Sequence, residues 1–219
     1  MTDLDPPPFE GTRLTYDAGT LEESDVDADP IVQLRSWISD AAAAGVYEHT
    51  AMSVATVGPD GRVSSRNVLL RQVLDDGLVF FTNYDSDKAV GVDAHRQVAL
   101  LISYLSMHRQ VRIEGVAERL GDADSDAYFA GRPRGSQIAS IASPQSRVLA
   151  DRAELEALVA ATDAAYDGVT EIPRPANWGG YVVRPDLVEF WQGRPSRLHD
   201  RLVYRPSTDG GWSITRLAP

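Results

Sequence analysis

Two short turn sequences, Pro59-Asp60-Gly61 and Asp75-Asp76-Gly77, constrain this chain more than any other feature. Glycine takes the positive φ that tight reversals need, and aspartate bonds back to its own backbone there. The turns join AMSVATV (51–57), RVSSRNVLLRQV (62–73) and LVFFTN (78–83), stretches rich in the β-branched and aromatic residues that suit a pleated, half-buried surface. Strands joined this tightly run antiparallel. Similar stretches follow at QVALLISYL (97–105), RQVRIEGVAERL (109–120), GGYVVRP (179–185), LVEFWQ (187–192), DRLVYRP (200–206) and WSITRL (212–217).

Helices are expected between them. Asp29-Pro30 opens a segment in which Ile31, Leu34, Trp37 and Ile38 share one helical face, with Gly45 as the stop. A short helix is predicted near 86–94, and 122–166 reads as helical with a break around Arg132-Pro133-Arg134-Gly135. Many antiparallel strands with inserted helices predict an α+β protein built on a β-barrel. Its 219 residues suit one domain over 30–219, preceded by an acidic, flexible N-terminal segment over 1–29.

The formal charge is −11, unevenly spread. Residues 1–29 hold nine acidic side chains against Arg13 alone, a local charge of −8 that leaves about −3 for the rest. That balance argues against nucleic acid and anionic membranes as partners but permits a local cationic pocket. No apolar run is long enough to span a bilayer and the N-terminus lacks a signal-peptide profile, so a cytoplasmic location is expected. With no cysteine, thiolate chemistry and disulfides are excluded. The four histidines show no metal-ligand spacing, and nothing resembles GxGxxG, a P-loop, HExxH or GxSxG.

Three clusters remain. Arg66 and Arg71 bracket Val68-Leu69-Leu70; they are either solvent-facing strand ends or partners of an anion. Thr82, Ser86 and Lys88, the only lysine beside twenty arginines, gather at a helix start, where free N–H groups favour phosphate unless Ser86 is a plain cap. Tyr128, Arg132 and Ser136, four apart, project one way if helical register persists through the Arg-Pro turn; the alternative is an ordinary helix end.

SRNVLLR, VFFTNYDSDKA, RQVRIEGVAERL, YFAGRPRGSQ, SPQS, NWGGYVV and EFWQGRPSRLHDR with a terminal RLAP together resemble the flavin-dependent pyridoxamine/pyridoxine 5′-phosphate oxidases, from about residue 30 to the end. The resemblance implies an FMN-binding split β-barrel, homodimeric, with FMN at the subunit interface. It implies oxidation of pyridoxine or pyridoxamine 5′-phosphate to pyridoxal 5′-phosphate, with O2 as acceptor and hydrogen peroxide as product. By motif, FMN would fall to Arg66, Asn67, Val68, Leu69, Leu70, Arg71, Phe81, Thr82, Lys88, Gln110, Gln145, Ser146, Trp191 and Arg201. The substrate would fall to Arg71, Tyr128, Arg132, Ser136, Arg197, Leu198 and His199, with Arg197 and His199 catalytic. Strand alternation in RLHDR would set Arg197, His199 and Arg201 on one face.

Arg13 and Tyr16 match the spacing of a segment that closes over the substrate in that family, or are an incidental pair. Arg71 stands where the family usually has lysine, Asp87 where arginine is common, Ser103-Tyr104 for Pro-Trp, and Ile141 for tryptophan. Two other functions fit the resemblance: an FMN-dependent oxidase of phenazine assembly, whose substrate needs no phosphate clamp, and a flavin- or pyridoxal-phosphate-binding protein without turnover.

Overall fold

A computed structural model describes residues 16–208 and 210–219. The described strands form one antiparallel sheet: β1 (Ala51–Val57), β2 (Val63–Leu69), β3 (Gln72–Val73), β4 (Leu78–Asn83), β5 (Gln97–Tyr104), β6 (Arg109–Arg119), β7 (Trp178–Gln192), β8 (Asp200–Pro206) and β9 (Trp212–Arg216). The helices are α1 (Pro30–Ala43), α2 (Asp87–Ala94), α3 (Asp122–Ala130), α4 (Arg134–Ala142) and α5 (Arg152–Ala165). Strand order is β2-β1-β5-β6-β7-β4-β3, with β8 added to β7 and β9 to β8.

Closure of the curl depends on two adjacent residues. The Leu70 N–H donates to the Thr50 carbonyl beside β1, and the Arg71 N–H donates to Val79 in β4, both at 2.8 Å. The chain thereby changes partner from one end of the sheet to the other, and the sheet rolls into a split barrel. This also divides the expected strand 62–73 into β2 and β3. Conversely, the two stretches expected at 179–185 and 187–192 fuse into the 15-residue β7. One edge of β7 follows β6; the other pairs first with β4 and then with β8.

Two further expectations change. The helical stretch has a second break because Pro144 disfavours a helical Ser143, which is extended at ψ 118°. The alternation argument for RLHDR fails, because Pro195–Arg197 is a 3-10 turn in which Ser196 and Arg197 have φ of 58° and 63°. Strand geometry begins only at Asp200, so Arg197 and His199 precede the strand that carries Arg201.

Inside the curl lie Val54, Leu78, Phe80, Leu100, Ile102, Val111, Ile113, Val183 and Phe190, all at most 1% exposed. Helix α1 covers one opening with Ile31, Leu34, Trp37 and Ala41, and the Trp37 ring meets Phe190 edge-on at 5.0 Å. Residues 21–29 of the acidic lead pack on the barrel beside α1. Leu21 is buried, Tyr204 Oη donates to the Asp27 carbonyl at 2.8 Å, and Arg216 bonds Glu22, Glu23 and Asp200.

One charged network lies within the sheet. The Glu189 carboxylate, 3% exposed, takes Arg201 Nε at 2.7 Å and Arg112 Nη2 at 2.7 Å, and Arg112 also bonds Glu114. Burial raises the Glu189 carboxyl; the hydrogen bonds from Arg201 and Arg112 outweigh it and hold it below the usual range. Removing the carboxylate leaves Arg201 without an ion-pair partner and Arg112 with Glu114 alone, so Glu189→Ala should lower unfolding stability by about 1.5–3 kcal/mol in a urea titration. A loss under about 1 kcal/mol would show that the network is dispensable.

Candidate functional site

Most described arginines have a carboxylate within ion-pair distance; Arg66, Arg71, Arg132, Arg197, Arg205 and Lys88 have none among the described residues. In so acidic a chain, unpaired cations that are also partly buried need another source of negative charge. Arg66, Lys88 and Arg132 are partly buried, and they share one region of the barrel with the more exposed Arg71.

That region holds a cavity of about 300 Å³ lined by Asn67, Val68, Leu69, Arg71, Phe81, Thr82, Asn83, Tyr128, Arg132, Ser140, Ser143, Gln145 and Trp178. Strand β2 supplies one wall, and the change of partner at Leu70 turns Leu70 into the core, where it is 4% exposed, while Arg71 remains on the cavity. The opposite wall is a parallel stack: Phe81 on Tyr128 at 3.7 Å between centroids, and Phe81 on Trp178 at 5.4 Å. The stack needs Gly180 opposite Phe81, since a Cβ there would sit 3.0 Å from the Phe81 ring and 2.9 Å from Leu120.

At one end, Lys88 Nζ donates to Gln145 Oε1 at 2.8 Å, Thr82 Oγ1 at 3.0 Å and Ser86 Oγ at 3.3 Å. Ser86 is also the buried N-cap of α2, bonded to the Ala89 N–H. Arg66 is held by Thr56 Oγ1 at 2.8 Å and by the Val54 and Ser64 carbonyls. Helix α2 lies close on β1 because Gly91 meets Thr56, where a Cβ would be 3.1 Å from the hydroxyl. Burial first, then the charge of Arg66, pulls the Lys88 ammonium down to about 8. Asp87 opposes that shift, yet its side chain is 70% exposed and faces Arg147 at 3.9 Å. Ser146, with φ of 70°, accepts from the Asp87 N–H through Oγ.

At the other end, burial and the neighbouring charge of Arg71 lower the Arg132 guanidinium, against Tyr128. Arg132 lies 4.6 Å over the Trp178 ring and donates to Ser140 Oγ at 2.6 Å. Helical register does not persist from Tyr128 to Ser136: α3 stops at Ala130 and α4 starts at Arg134. Ser140 and Ser143, not Ser136, line the cavity. The i,i+4 spacing from Ser136 to Ser140 was the available signal for the first. Trp178, in NWGG, was visible in sequence only as part of a motif.

A second cluster lies at the far end of β7. Gln110, Trp191 and Arg201 are register partners across β6, β7 and β8 and so share one face of the sheet. Arg201 spends its fork on Glu189 and gives Nη1 to the Ala218 carbonyl. The His199 ring lies 4.6 Å from Trp191 and 5.6 Å from Tyr16, and its Nδ1 accepts from the Arg194 N–H at 3.1 Å. A neutral His199 therefore carries its proton on Nε2. Arg197 is exposed, as is Leu198 at 69%. Arg13 lies outside the described residues.

No hydrogen bond, ion pair or ring contact among the described residues joins the two clusters. Trp178 opens β7 and Trp191 nearly ends it, so they stand roughly 40 Å apart along the strand at about 3.3 Å per residue.

Residues 38–164 match the family model described as pyridoxamine 5′-phosphate oxidase, and residues 178–219 match the pyridoxine 5′-phosphate oxidase C-terminal dimerisation region. A pyridoxine/pyridoxamine 5′-phosphate oxidase of Thermosynechococcus vestitus is 52% identical over 207 residues, covering 94% of this chain and 97% of that protein. One from Cupriavidus metallidurans is 48% identical over the same coverage. Among solved structures, PhzG from Burkholderia lata 383 in complex with tetrahydrophenazine-1-carboxylic acid superposes with a TM-score of 0.86 at 33% identity, covering 94% of this chain and all of that one. The chain belongs to the pyridoxamine 5′-phosphate oxidase family, whose enzymes are FMN-dependent oxidoreductases.

Proposed function

We propose that this protein oxidises pyridoxine 5′-phosphate or pyridoxamine 5′-phosphate to pyridoxal 5′-phosphate, passing electrons through FMN to O2 with release of hydrogen peroxide. The observation that carries this reading is the pair Arg71 and Arg132, two cations without carboxylate partners on one cavity that also offers aromatic faces. A phosphate ester on a flat pyridine ring matches both features.

The residues fit FMN on the same grounds. Lys88 and Arg66 bring like charges together against burial, an arrangement that a phosphate dianion relieves. Arg66, Thr82, Lys88, Gln145 and Ser146 would hold that phosphate, with residues 67–71 and Phe81 alongside. Bound FMN supplies the two-electron acceptor for the substrate's 4′ carbon. Gln110, Trp191 and Arg201 would contribute from the C-terminal row. His199 would direct its Nε2–H at the 4′ substituent, and Arg197 would cover the ring. Because the row and the cavity sit at opposite ends of β7, one complete site needs the row of a second copy. The match to a dimerisation region at 178–219 supports a homodimer of this kind.

The similarity to PhzG favours one other reading, oxidation of a reduced phenazine carboxylate without a phosphate. Purified protein should carry a yellow flavin and consume oxygen with pyridoxine 5′-phosphate, while turning over unphosphorylated pyridoxine at least about a hundredfold less efficiently, the scale of one charge-assisted contact. Equal efficiency on both, with faster turnover of a tetrahydrophenazine carboxylate, would transfer the assignment to the second reading.

Arg132→Gln should raise KM for pyridoxine 5′-phosphate by about 10- to 100-fold, with little change for pyridoxine. FMN binding should also depend on pH through Lys88. Phosphate favours the protonated ammonium, so above about 8 the apoprotein must take up a proton to bind, and affinity falls as pH rises. Titrating apoprotein with FMN between pH 7 and 9.5 reads this directly. Lys88→Met should flatten that part of the profile.

A further inference from the structure

Ser140 has a hydrogen-bond geometry that the recognition of a phosphate alone does not explain. Its hydroxyl donates to the Ser136 carbonyl one turn back on α4, at 2.9 Å. A serine hydroxyl has one proton, so that bond commits the proton and leaves only lone pairs facing away from the helix axis. Arg132 Nη1 donates into them at 2.6 Å. The contact crosses the break between α3 and α4, tying a residue of the connecting turn to the second turn of the next helix.

The other restraints on Arg132 are ring faces, Trp178 at 4.6 Å and Phe129 at 5.8 Å. A ring face fixes the plane in which a guanidinium lies but leaves it free to slide and rotate in that plane. Ser140 supplies the in-plane anchor. With Nη1 taken, the remaining N–H groups are held in a fixed direction beside a cavity whose lining also includes Arg71. A long side chain that would otherwise be ordered on binding, with loss of rotamer freedom, is ordered beforehand.

We propose that Ser140 is a positioning residue that pre-aims Arg132 and thereby sets the enzyme's affinity for the phosphate ester of its substrate. The proposal rests on the reading that Arg132 faces the substrate phosphate, and the test separates the two. Alanine is a better helix former than serine, so Ser140→Ala removes the anchor without weakening α4. Ser140→Thr keeps a hydroxyl able to bond the carbonyl one turn back.

The measurement is steady-state oxidation of pyridoxine 5′-phosphate by FMN-loaded enzyme, with inorganic phosphate as competitive inhibitor. In Ser140→Ala, KM and the inhibition constant for inorganic phosphate should both rise by roughly three- to tenfold, with kcat, flavin absorbance and melting temperature retained. Ser140→Thr should restore both constants, and in an Arg132→Gln background Ser140→Ala should add nothing. Unchanged constants in Ser140→Ala, beside a large rise in Arg132→Gln, would overturn the role of Ser140 and leave the phosphate reading standing. So would an equal effect of Ser140→Ala in the Arg132→Gln background, since it would not act through the arginine. An unchanged KM in Arg132→Gln would remove the phosphate reading and this proposal with it.

Discussion

Lys88 holds a positive charge where burial and the neighbouring Arg66 both oppose it, and among the described residues three neutral oxygens and the outward-turned Asp87 are set against them. The same tension recurs at Arg132, which burial and Arg71 disfavour together. A fold that needed only stability would have put a carboxylate beside each, as it does for Arg112, Arg174 and Arg216. Acidic side chains are abundant, so their absence here is a matter of placement, and much of the local architecture serves it. Gly91 lets α2 approach β1, Gly180 gives the aromatic stack its room, and Pro144 breaks the helix so that Gln145 and Ser146 can reach α2.

Strand β7 distributes the chemistry. Its first residues border the cavity beneath the aromatic stack, and its last carry Trp191 in a row with Gln110 and Arg201. A single long strand separates these groups rigidly, because the strand is paired along both edges and cannot fold back on itself. Under the proposed function a shared site would draw these groups from two copies, and a two-fold interface would bring each end of one β7 to the opposite end of the other. The buried Glu189 network braces the row from within the sheet, holding Arg112 and Arg201 at a fixed spacing.

Much of the fold was legible in sequence where local chemistry decides structure. β1, β4 and β8 begin and end where their turns and β-branched runs indicate, and α1 buries the face that the spacing of Ile31, Leu34 and Trp37 implies. Misreadings fell where nonlocal pairing overrides local pattern. Nothing in LLRQV announces that Leu70 and Arg71 bond to different ends of the sheet, and Pro185 does not interrupt β7 because the register shift against β6 absorbs it. RLHDR alternates like a strand, yet Ser196 and Arg197 adopt left-handed conformations that put a turn there. Of the site, the types and rough positions of the cations could be read, while Ser143 and Trp178 stood in the sequence only within motifs and took their place, with Ser140, through the cavity they line.

The sequence by itself determined an α+β chain of antiparallel strands, an excess of arginine over lysine within an acidic whole, and motifs specific enough to name a family. These follow from period, turn chemistry and residue type, which act over a few neighbouring positions. Which cations are neutralised and which are left waiting was decided by tertiary structure alone. Ion pairs such as Arg216 with Glu23 join residues far apart in the chain, so an arginine's partner, or its lack of one, exists only after the barrel has closed.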